Sequence, residues 1–147
     1  MAQFYSTETK TMSAAGRKIR NGVEQGARLR LIRNTIPLDA PWNGTTETST
    51  GTVIASGDTI LLGTRAPGQR FAFGVITTTH SLGSSTVAIG VSGTAAKYKA
   101  AATFTSTNTP TMFGLVSAMD DAENSAQEDI IATIAAADLP TTSGAVL

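Results

Sequence analysis

The sequence predicts a mainly β protein: an antiparallel β-sandwich or jelly-roll-like barrel with an extended N-terminal arm and at most one or two short helices. Three observations lead to this fold class. About seven short runs of alternating or β-branched residues follow one another, Gly, Pro, Ser and Asn separate them at short intervals, and almost no stretch keeps a helical period. The length of 147 residues fits one domain.

The first 26 residues differ from the rest of the chain. They are rich in Gln, Ser, Thr, Lys, Gly and Asn and contain few regularly spaced apolar residues, so they are a poor basis for a core. We therefore expect an extended arm over residues 1–26, ordered by a partner, and a β-sandwich domain over residues 27–147. A short helix over residues 13–20, capped by Ser13, is an alternative that Gly16 disfavours by about 1 kcal/mol.

The domain is predicted to begin with a strand and a loop. Arginines alternate with aliphatic residues over residues 27–33, so we expect a strand with one solvated face, which Pro37 and Pro41 end. Residues 42–51 are Thr-rich and predict a surface loop. Residues 52–55 are expected to pair weakly at most.

The middle of the chain contains the strongest strand patterns. Residues 58–63 predict a strand, and Pro67-Gly68 predicts a type II turn in which glycine takes the positive φ angle. Aromatic and β-branched residues make residues 70–79 the clearest predicted strand. Residues 85–92 alternate again, so we expect them to pair with residues 70–79 across a turn at residues 82–85.

The last third mixes helix and strand patterns. Alanines give residues 94–102 a helix-favouring composition, and we expect a short helix there. Strands are expected over residues 112–117 and over residues 128–137. In the second of these, the β-branched isoleucines favour a strand more strongly than the alanines favour a helix. A turn bracketed by Leu139-Pro140 and Ser143-Gly144 should precede a last, short strand over residues 145–147.

The charges balance to zero but are segregated along the chain. The basic residues near the start are Lys10, Arg17, Lys18, Arg20, Arg28, Arg30 and Arg33. The charged residues beyond Lys99 are Asp120, Asp121, Glu123, Glu128, Asp129 and Asp138. The basic head of one copy could therefore meet the acidic end of another, although solvated surface charge explains the pattern equally well. Nucleic-acid binding is disfavoured, because no aromatic residues interleave with the basic cluster.

The sequence contains no recognisable catalytic constellation. It has no cysteine and one histidine, His80, which we interpret as a turn residue that is exposed or bonded to backbone. The glycines at Gly90 and Gly93 lack phosphate-loop spacing, and Asp120-Asp121-x-Glu123 offers too few oxygens for a calcium site. We expect no enzymatic activity, no cofactor and no metal. The apolar runs are too short for a membrane span, and the N-terminus lacks the pattern of a secretory signal.

Four segments within residues 54–147 combine alternating apolar runs with turns: Leu82-Gly83-Ser84-Ser85-Thr86-Val87-Ala88-Ile89-Gly90, Ala95-Ala96-Lys97-Tyr98-Lys99-Ala100-Ala101, Ile130-Ile131-Ala132-Thr133-Ile134-Ala135 and Leu139-Pro140. With these segments, residues 54–147 resemble a group of small virion proteins of tailed bacteriophages, the head decoration or cement proteins. The resemblance implies a β-sandwich or jelly-roll module on the capsid surface of the virion, made in the host bacterial cytoplasm. It implies no catalytic residue.

The expected function is that of a non-enzymatic capsid decoration protein that binds the outside of the head shell and stabilises contacts between major capsid subunits. Its expected partners are the major capsid protein and other copies of itself, a trimer being one option, with neither membrane nor nucleic acid. Within the arm, Lys10, Arg17, Lys18 and Arg20 are the candidate partner-binding residues.

Two other functions remain open at this point. A β-sandwich carbohydrate-binding or tail and host-recognition module would use Trp42, Tyr98 or Phe71 as a stacking surface for sugars. A hydrolase with a composite carboxylate site would need acids such as Asp58, Asp120 and Asp121 to converge in a pocket. These alternatives differ in what the structure must place together.

Overall fold

A computed structural model describes residues 3–5, 31–41, 52–114 and 124–147, the first of these as backbone only. Within these ranges the regular secondary structure consists of strands, with no helix, so the mainly β class is confirmed. The strands are β1 (Gln3–Tyr5), β2 (Thr59–Arg65), β3 (Gly74–Ile76), β4 (Thr86–Val91), β5 (Thr94–Thr103), β6 (Thr111–Phe113) and β7 (Glu128–Ala135).

The strands form two sheets. The larger, which we call the main sheet, has five strands in the order β1-β2-β7-β4-β5, and β3 and β6 form a two-stranded sheet, which we call the ribbon. All neighbouring strands are antiparallel except β1, which runs parallel to β2. The prediction of a sandwich or jelly roll remains a prediction.

The centre of the main sheet is apolar on both faces. Strand β4 lies between β5 and β7, and all its residues from Val87 to Val91 are buried, including Ala88 and Gly90 on the face opposite to the valines. Gly90 is required for packing, because a Cβ atom there would overlap the backbone of Thr94 and Ala95 at the start of β5. Irregularities in the β4–β5 register accompany this close approach.

A buried cluster of apolar side chains joins the strands to the connecting segments. Its members are Ile36, Leu38, Ile54, Ile60, Ile76, Leu82, Val87, Ile89, Val91, Tyr98, Phe104, Ala132, Ile134, Leu139 and Ala145. Several come from segments without regular structure, such as Ile54, whose carbonyl accepts a hydrogen bond from the Leu139 N–H at 2.9 Å. The core therefore includes the connecting segments as well as the sheet.

The strand predicted at residues 27–33 is not found where the structure describes it. Residues 27–30 lie outside the described ranges, and residues 31–33 form no strand and are all exposed, with Leu31 at 88%. Beyond them, the Asn34 side-chain amide donates to the Leu62 carbonyl at 2.8 Å. Leu62 lies where the β2–β7 register shifts, so this side chain satisfies a carbonyl at an irregularity in the ladder.

The predicted C-terminal strand over residues 145–147 is an isolated bridge. Pro37 lies opposite Val146, and the flanking Ile36 and Leu147 exchange backbone hydrogen bonds of 2.9 and 3.0 Å. Proline fits this position because its neighbours supply the donors of the bridge. Too few residues pair here to make a strand.

Two predictions in the middle of the chain were wrong. Only residues Gly74–Ile76 of the segment 70–79 form a strand, and that strand pairs with β6 instead of β4. Residues 94–102, expected to be helical, lie within strand β5. Pairing with β4 overrides the helix propensity of alanine, because an isolated two-turn helix gains little by itself.

The other strand and turn predictions agree more closely with the structure. Strands β2, β4 and β7 fall where residues 58–63, 85–92 and 128–137 predicted them. Of the strand predicted over 112–117, β6 contains residues 112 and 113, residue 114 is not in a strand, and 115–117 lie outside the described ranges. Segment 52–55 forms no strand. The Pro67-Gly68 turn has Gly68 at φ 78°, with Gln69 N–H donating to the Ala66 carbonyl at 3.2 Å. The turns at residues 82–85 and at Ser143-Gly144 are present as well.

Candidate interaction surface

The ribbon carries a row of apolar side chains on its outer face. Val75 and Met112 lie directly opposite each other in the β3–β6 pair, and both are more than half exposed, at 53% and 56%. Phe73, 43% exposed, lies two residues before Val75, in the segment that leads into β3. Contiguous exposed apolar side chains are typical of interaction sites. We call Phe73, Val75 and Met112 the apolar row.

The inner face of the ribbon packs through stacked aromatic rings. The Phe71 ring stacks on Tyr98 of β5, with 4.1 Å between ring centroids, and on Phe113 of β6, with 5.9 Å. Tyr98 is 3% exposed and belongs to the core. The rings therefore join the ribbon to the main sheet, and stacking of this kind contributes about 0.5–1.5 kcal/mol per pair beyond burial.

Two glycines allow the rings to approach the ribbon backbone. Gly74 lies opposite Phe113, and a Cβ atom at Gly74 would overlap the Phe113 ring. Gly114 has a φ of 84° and lies against the Phe71 ring, so a side chain there would be both strained and obstructed. The backbone of the ribbon is thus held tightly from behind.

Charged side chains surround the tyrosine on the main sheet. Arg65 of β2 is buried and forms an ion pair of 2.5 Å with Glu128, its register partner on β7, and Lys97 lies 3.9 Å from the same carboxylate. The Arg65 guanidinium lies 5.9 Å and the Lys97 ammonium 5.3 Å from the centroid of the Tyr98 ring. These cations favour the electron-rich face of the ring and support the aromatic stack.

A polar side chain fastens the segment before β7 to the turn after β2. The Asn124 amide donates to the carbonyls of Arg65, at 3.3 Å, and Ala126, at 2.6 Å. The backbone carbonyl of Asn124 accepts a hydrogen bond from the Gly68 N–H at 2.9 Å. Asn124 is buried, and these bonds fix the end of β2 from which the chain leads toward the ribbon.

The candidate residues of the N-terminal arm cannot be placed. Lys10, Arg17, Lys18 and Arg20 all lie outside the described residues. Of the expected arm over residues 1–26, only Gln3–Tyr5 is described, as strand β1 at the edge of the main sheet. Their role in binding a partner stays a prediction.

Of the three aromatic residues suggested for sugar stacking, the structure describes Tyr98 and Phe71, and it does not place these two on a common exposed surface. Tyr98 is buried beneath Phe71, which is itself half-buried between Tyr98 and Phe113, and Trp42 lies outside the described ranges. A sugar ring needs an exposed aromatic face to stack on, and Tyr98 offers none. The suggestion that Tyr98 binds sugar was therefore wrong, and its role is structural.

The titratable candidates have local structural roles where they are described. Asp58 is buried and accepts the Ala55 N–H at 3.0 Å, while Asp120, Asp121 and Glu123 lie outside the described ranges. The His80 backbone exchanges hydrogen bonds with the Thr78 hydroxyl: its carbonyl accepts from the hydroxyl at 2.6 Å, and its N–H donates to the hydroxyl oxygen at 3.3 Å.

Within the part of the chain that the structure describes, no cluster of His, Asp or Glu residues could hold a metal ion. The same ranges contain no helix long and apolar enough to cross a membrane.

Sequence reasoning missed the apolar row, although part of its signal is present. Phe71, Phe73 and Val75 occupy alternate positions, which predicts a common face. The pattern does not show that Phe71 turns inward, nor that Met112, far along the chain, lies opposite Val75. Comparison with protein-family models, curated proteins and solved structures finds no match to this chain.

Proposed function

We propose that this protein is a non-enzymatic structural protein of a tailed-bacteriophage virion, a head decoration protein that binds the outside of the head shell and stabilises contacts between major capsid subunits. The observation that carries the proposal is the apolar row, Phe73, Val75 and Met112, exposed on a ribbon that is held rigidly from behind. The resemblance of residues 54–147 to decoration proteins supplies the class of partner.

The energy available from the apolar row favours a partner with many binding sites. Full burial of a large apolar side chain contributes about 1.5–3 kcal/mol, and these three side chains are about half exposed, so covering them yields roughly 3 kcal/mol per copy. Alone, that corresponds to an affinity weaker than millimolar. A useful complex therefore needs additional contacts, as a shell of repeated subunits provides.

The packing on the inner face of the ribbon reduces the conformational entropy that is lost on binding. The Phe71 stack and the glycines beneath it hold the ribbon backbone in place before any partner arrives. A surface that is ordered in advance loses less conformational freedom on binding. The apolar row is therefore suited to recognition without rearrangement.

Strand β5 presents a second surface suited to close contact. It is the outer strand of the main sheet opposite to β1, and its exposed residues are Thr94, Ala95, Ala96, Ala100, Ala101 and Thr103. Small uncharged side chains let another subunit approach without burying charge. This composition supports a protein whose surface is meant to be covered.

The test is binding to empty head shells of the phage that encodes the chain. Val75→Glu should reduce shell occupancy at least tenfold in co-sedimentation, because it would bury an unpaired carboxylate in the contact. Thr105→Glu, which adds the same charge at an exposed loop position, should bind within about twofold of the unchanged protein. Thermal unfolding of both variants should match that of the unchanged protein.

Two results would overturn the proposal. One is that the unchanged protein, added at saturating concentration, does not co-sediment with the shells. The other is equal occupancy by the two glutamate variants, which would show that the apolar row is not the contact. Binding in a glycan array without binding to shells would favour the carbohydrate-binding alternative instead.

A further inference from the structure

The attachment of β1 to the main sheet is the weakest pairing in the sheet. Strand β1 has three residues, and it pairs in parallel with β2 through Gln3–Thr59, Phe4–Ile60 and Tyr5–Leu61. A net contribution of about 0.5–1.5 kcal/mol per hydrogen bond makes so short a ladder only marginally stable. Edge segments with few contacts open at low free-energy cost.

The opening of β1 exposes a site of defined chemistry. The outer edge of β2 over Thr59–Leu61 then presents backbone N–H and C=O groups without ladder partners, which are a template for another strand. A segment identical to residues 3–5 matches this template in register, so the same segment of a second copy fits as well as the chain's own. The contacts formed in the two cases are the same.

The chain is long enough to make this exchange. Residues 6–30, 25 in number, separate β1 from the next described residue. At about 3.3 Å per residue they span up to about 80 Å, whereas a compact domain of this length has a diameter of about 40 Å. The segment of one copy can therefore reach β2 of a neighbouring copy.

From these observations we infer that the outer edge of β2 is a strand-acceptor site that takes the Gln3–Tyr5 segment of a second copy, linking copies by strand exchange. This goes beyond the proposed function and does not rest on it. Because the contacts are identical in both arrangements, the concentration of neighbours decides between them. Exchange becomes substantial when that concentration approaches the effective concentration of the chain's own segment, on the order of millimolar for a segment tethered within the same chain.

The absence of cysteine from the sequence allows a direct test. One species carries Tyr5→Cys, and a second, distinguished by a larger tag, carries Leu61→Cys, its register partner. Neighbouring strands place paired Cα atoms at a separation compatible with a disulfide. The two species are refolded together at about 1 mM and oxidised. A disulfide between them can form in this register only if the strand of one copy occupies β2 of the other.

We expect a covalent heterodimer on a non-reducing gel, at least fivefold above a control in which Thr107→Cys, in the loop before β6, replaces Leu61→Cys. A further variant carries Tyr5→Cys and Leu61→Cys in the same chain. When it is oxidised at micromolar concentration, it should form monomers closed by an intramolecular disulfide, which we call closed monomers. Closed monomers together with no heterodimer above the control would overturn the inference. Absence of both products would overturn it too, because the β1–β2 register would then be wrong.

A second pair protects the test against misfolding. Gln3→Cys and Thr59→Cys occupy the first register position and should give the same pattern of products. Each species is accepted only if its thermal unfolding midpoint lies within a few degrees of that of the unchanged protein. A heterodimer with one pair and not with the other would also count against the stated register.

Discussion

The main sheet and the ribbon use apolar residues in opposite ways. In the main sheet, β4 has neighbouring strands on both edges, and its residues from Val87 to Val91 are all buried. In the ribbon, each strand has one partner among the described residues, and Val75 and Met112 point outward with more than half of their surface exposed. The same residue types therefore stabilise the fold in one region and remain available for binding in the other.

The comparison shows what a two-stranded sheet needs in order to persist. An isolated pair of strands is marginal in water, so the ribbon depends on its inner face. That face is attached through Phe71 and Phe113 to Tyr98 on the main sheet. Its outer face contributes little to stability and is free to differ in composition. The main sheet should accordingly be sensitive to core changes, and the ribbon to changes behind it.

The largest effect is expected in the main sheet. Ile134 is fully buried in β7, opposite Val87, and Ile134→Ala should lower the free energy of unfolding by about 2–5 kcal/mol through lost burial and the cavity left behind. Denaturant unfolding measures this. Ile131→Ala, at a partly exposed position of the same strand, should cost clearly less. Equal losses would contradict the contrast between buried and exposed positions.

A smaller loss is expected behind the ribbon. Gly74→Ala places a methyl group in the space of the Phe113 ring, and overpacking of this kind costs about 1–3 kcal/mol. The near-ultraviolet circular dichroism of the aromatic stack should change as well. Ala72→Ser, at an exposed position two residues earlier, is the matched control and should change neither signal. An unaltered spectrum in Gly74→Ala would show that the ring does not lie over this backbone.

A gain in stability is expected where β7 ends. Ala136 has a φ of 66°, a conformation that costs a residue with a Cβ atom about 1 kcal/mol. Ala136→Gly should therefore raise the free energy of unfolding by up to about 1 kcal/mol. Its neighbour Ala137 has no such angle, and Ala137→Gly should lower stability by about 0.5–1 kcal/mol. If both variants had a lower free energy of unfolding than the unchanged protein, strain at Ala136 would be excluded.

The smallest effect concerns the pH dependence of β5. Burial lowers the pKa of the Lys99 ammonium below its ordinary value, and its Nζ atom donates to the Ala100 carbonyl while lying 4.8 Å from the centroid of the Phe104 ring. Between the lowered pKa and the ordinary value the unfolded chain binds more protons, so stability should rise with pH in that alkaline range. Lys99→Gln should remove this rise. The free energy of unfolding is measured against pH for both proteins, and the difference between the two curves isolates the contribution of Lys99. Parallel curves would contradict this expectation.

The strength of sequence patterns differed between the regions. Strands β2, β4 and β7 were predictable because β-branched residues, burial and flanking turns all favour the same structure in the main sheet. Strand β5 was not, since its alanines favour a helix locally and only the contact with β4 makes it a strand. The extent of the 70–79 strand was overestimated for the same reason, because β6 pairs with three of its residues and nothing in the local pattern limits it.

The candidate surface was predictable only in part. The spacing of Phe71, Phe73 and Val75 favours one common apolar face, but such a face is normally the buried one, and the local pattern gives no sign that Phe73 and Val75 are exposed. Tyr98, singled out as a surface aromatic, is buried because Phe71 covers it. Both outcomes depend on which distant segments meet.

The sequence by itself determined the β class, three strands of the main sheet and the glycine-containing turns, because these depend on backbone preferences and on side chains within a few residues. Tertiary structure decided the pairing of β3 with β6, the strand conformation of 94–103 and the outward direction of the apolar row. These features arise from contacts between residues far apart in the chain, whose energies exceed local propensities and do not appear in any short stretch.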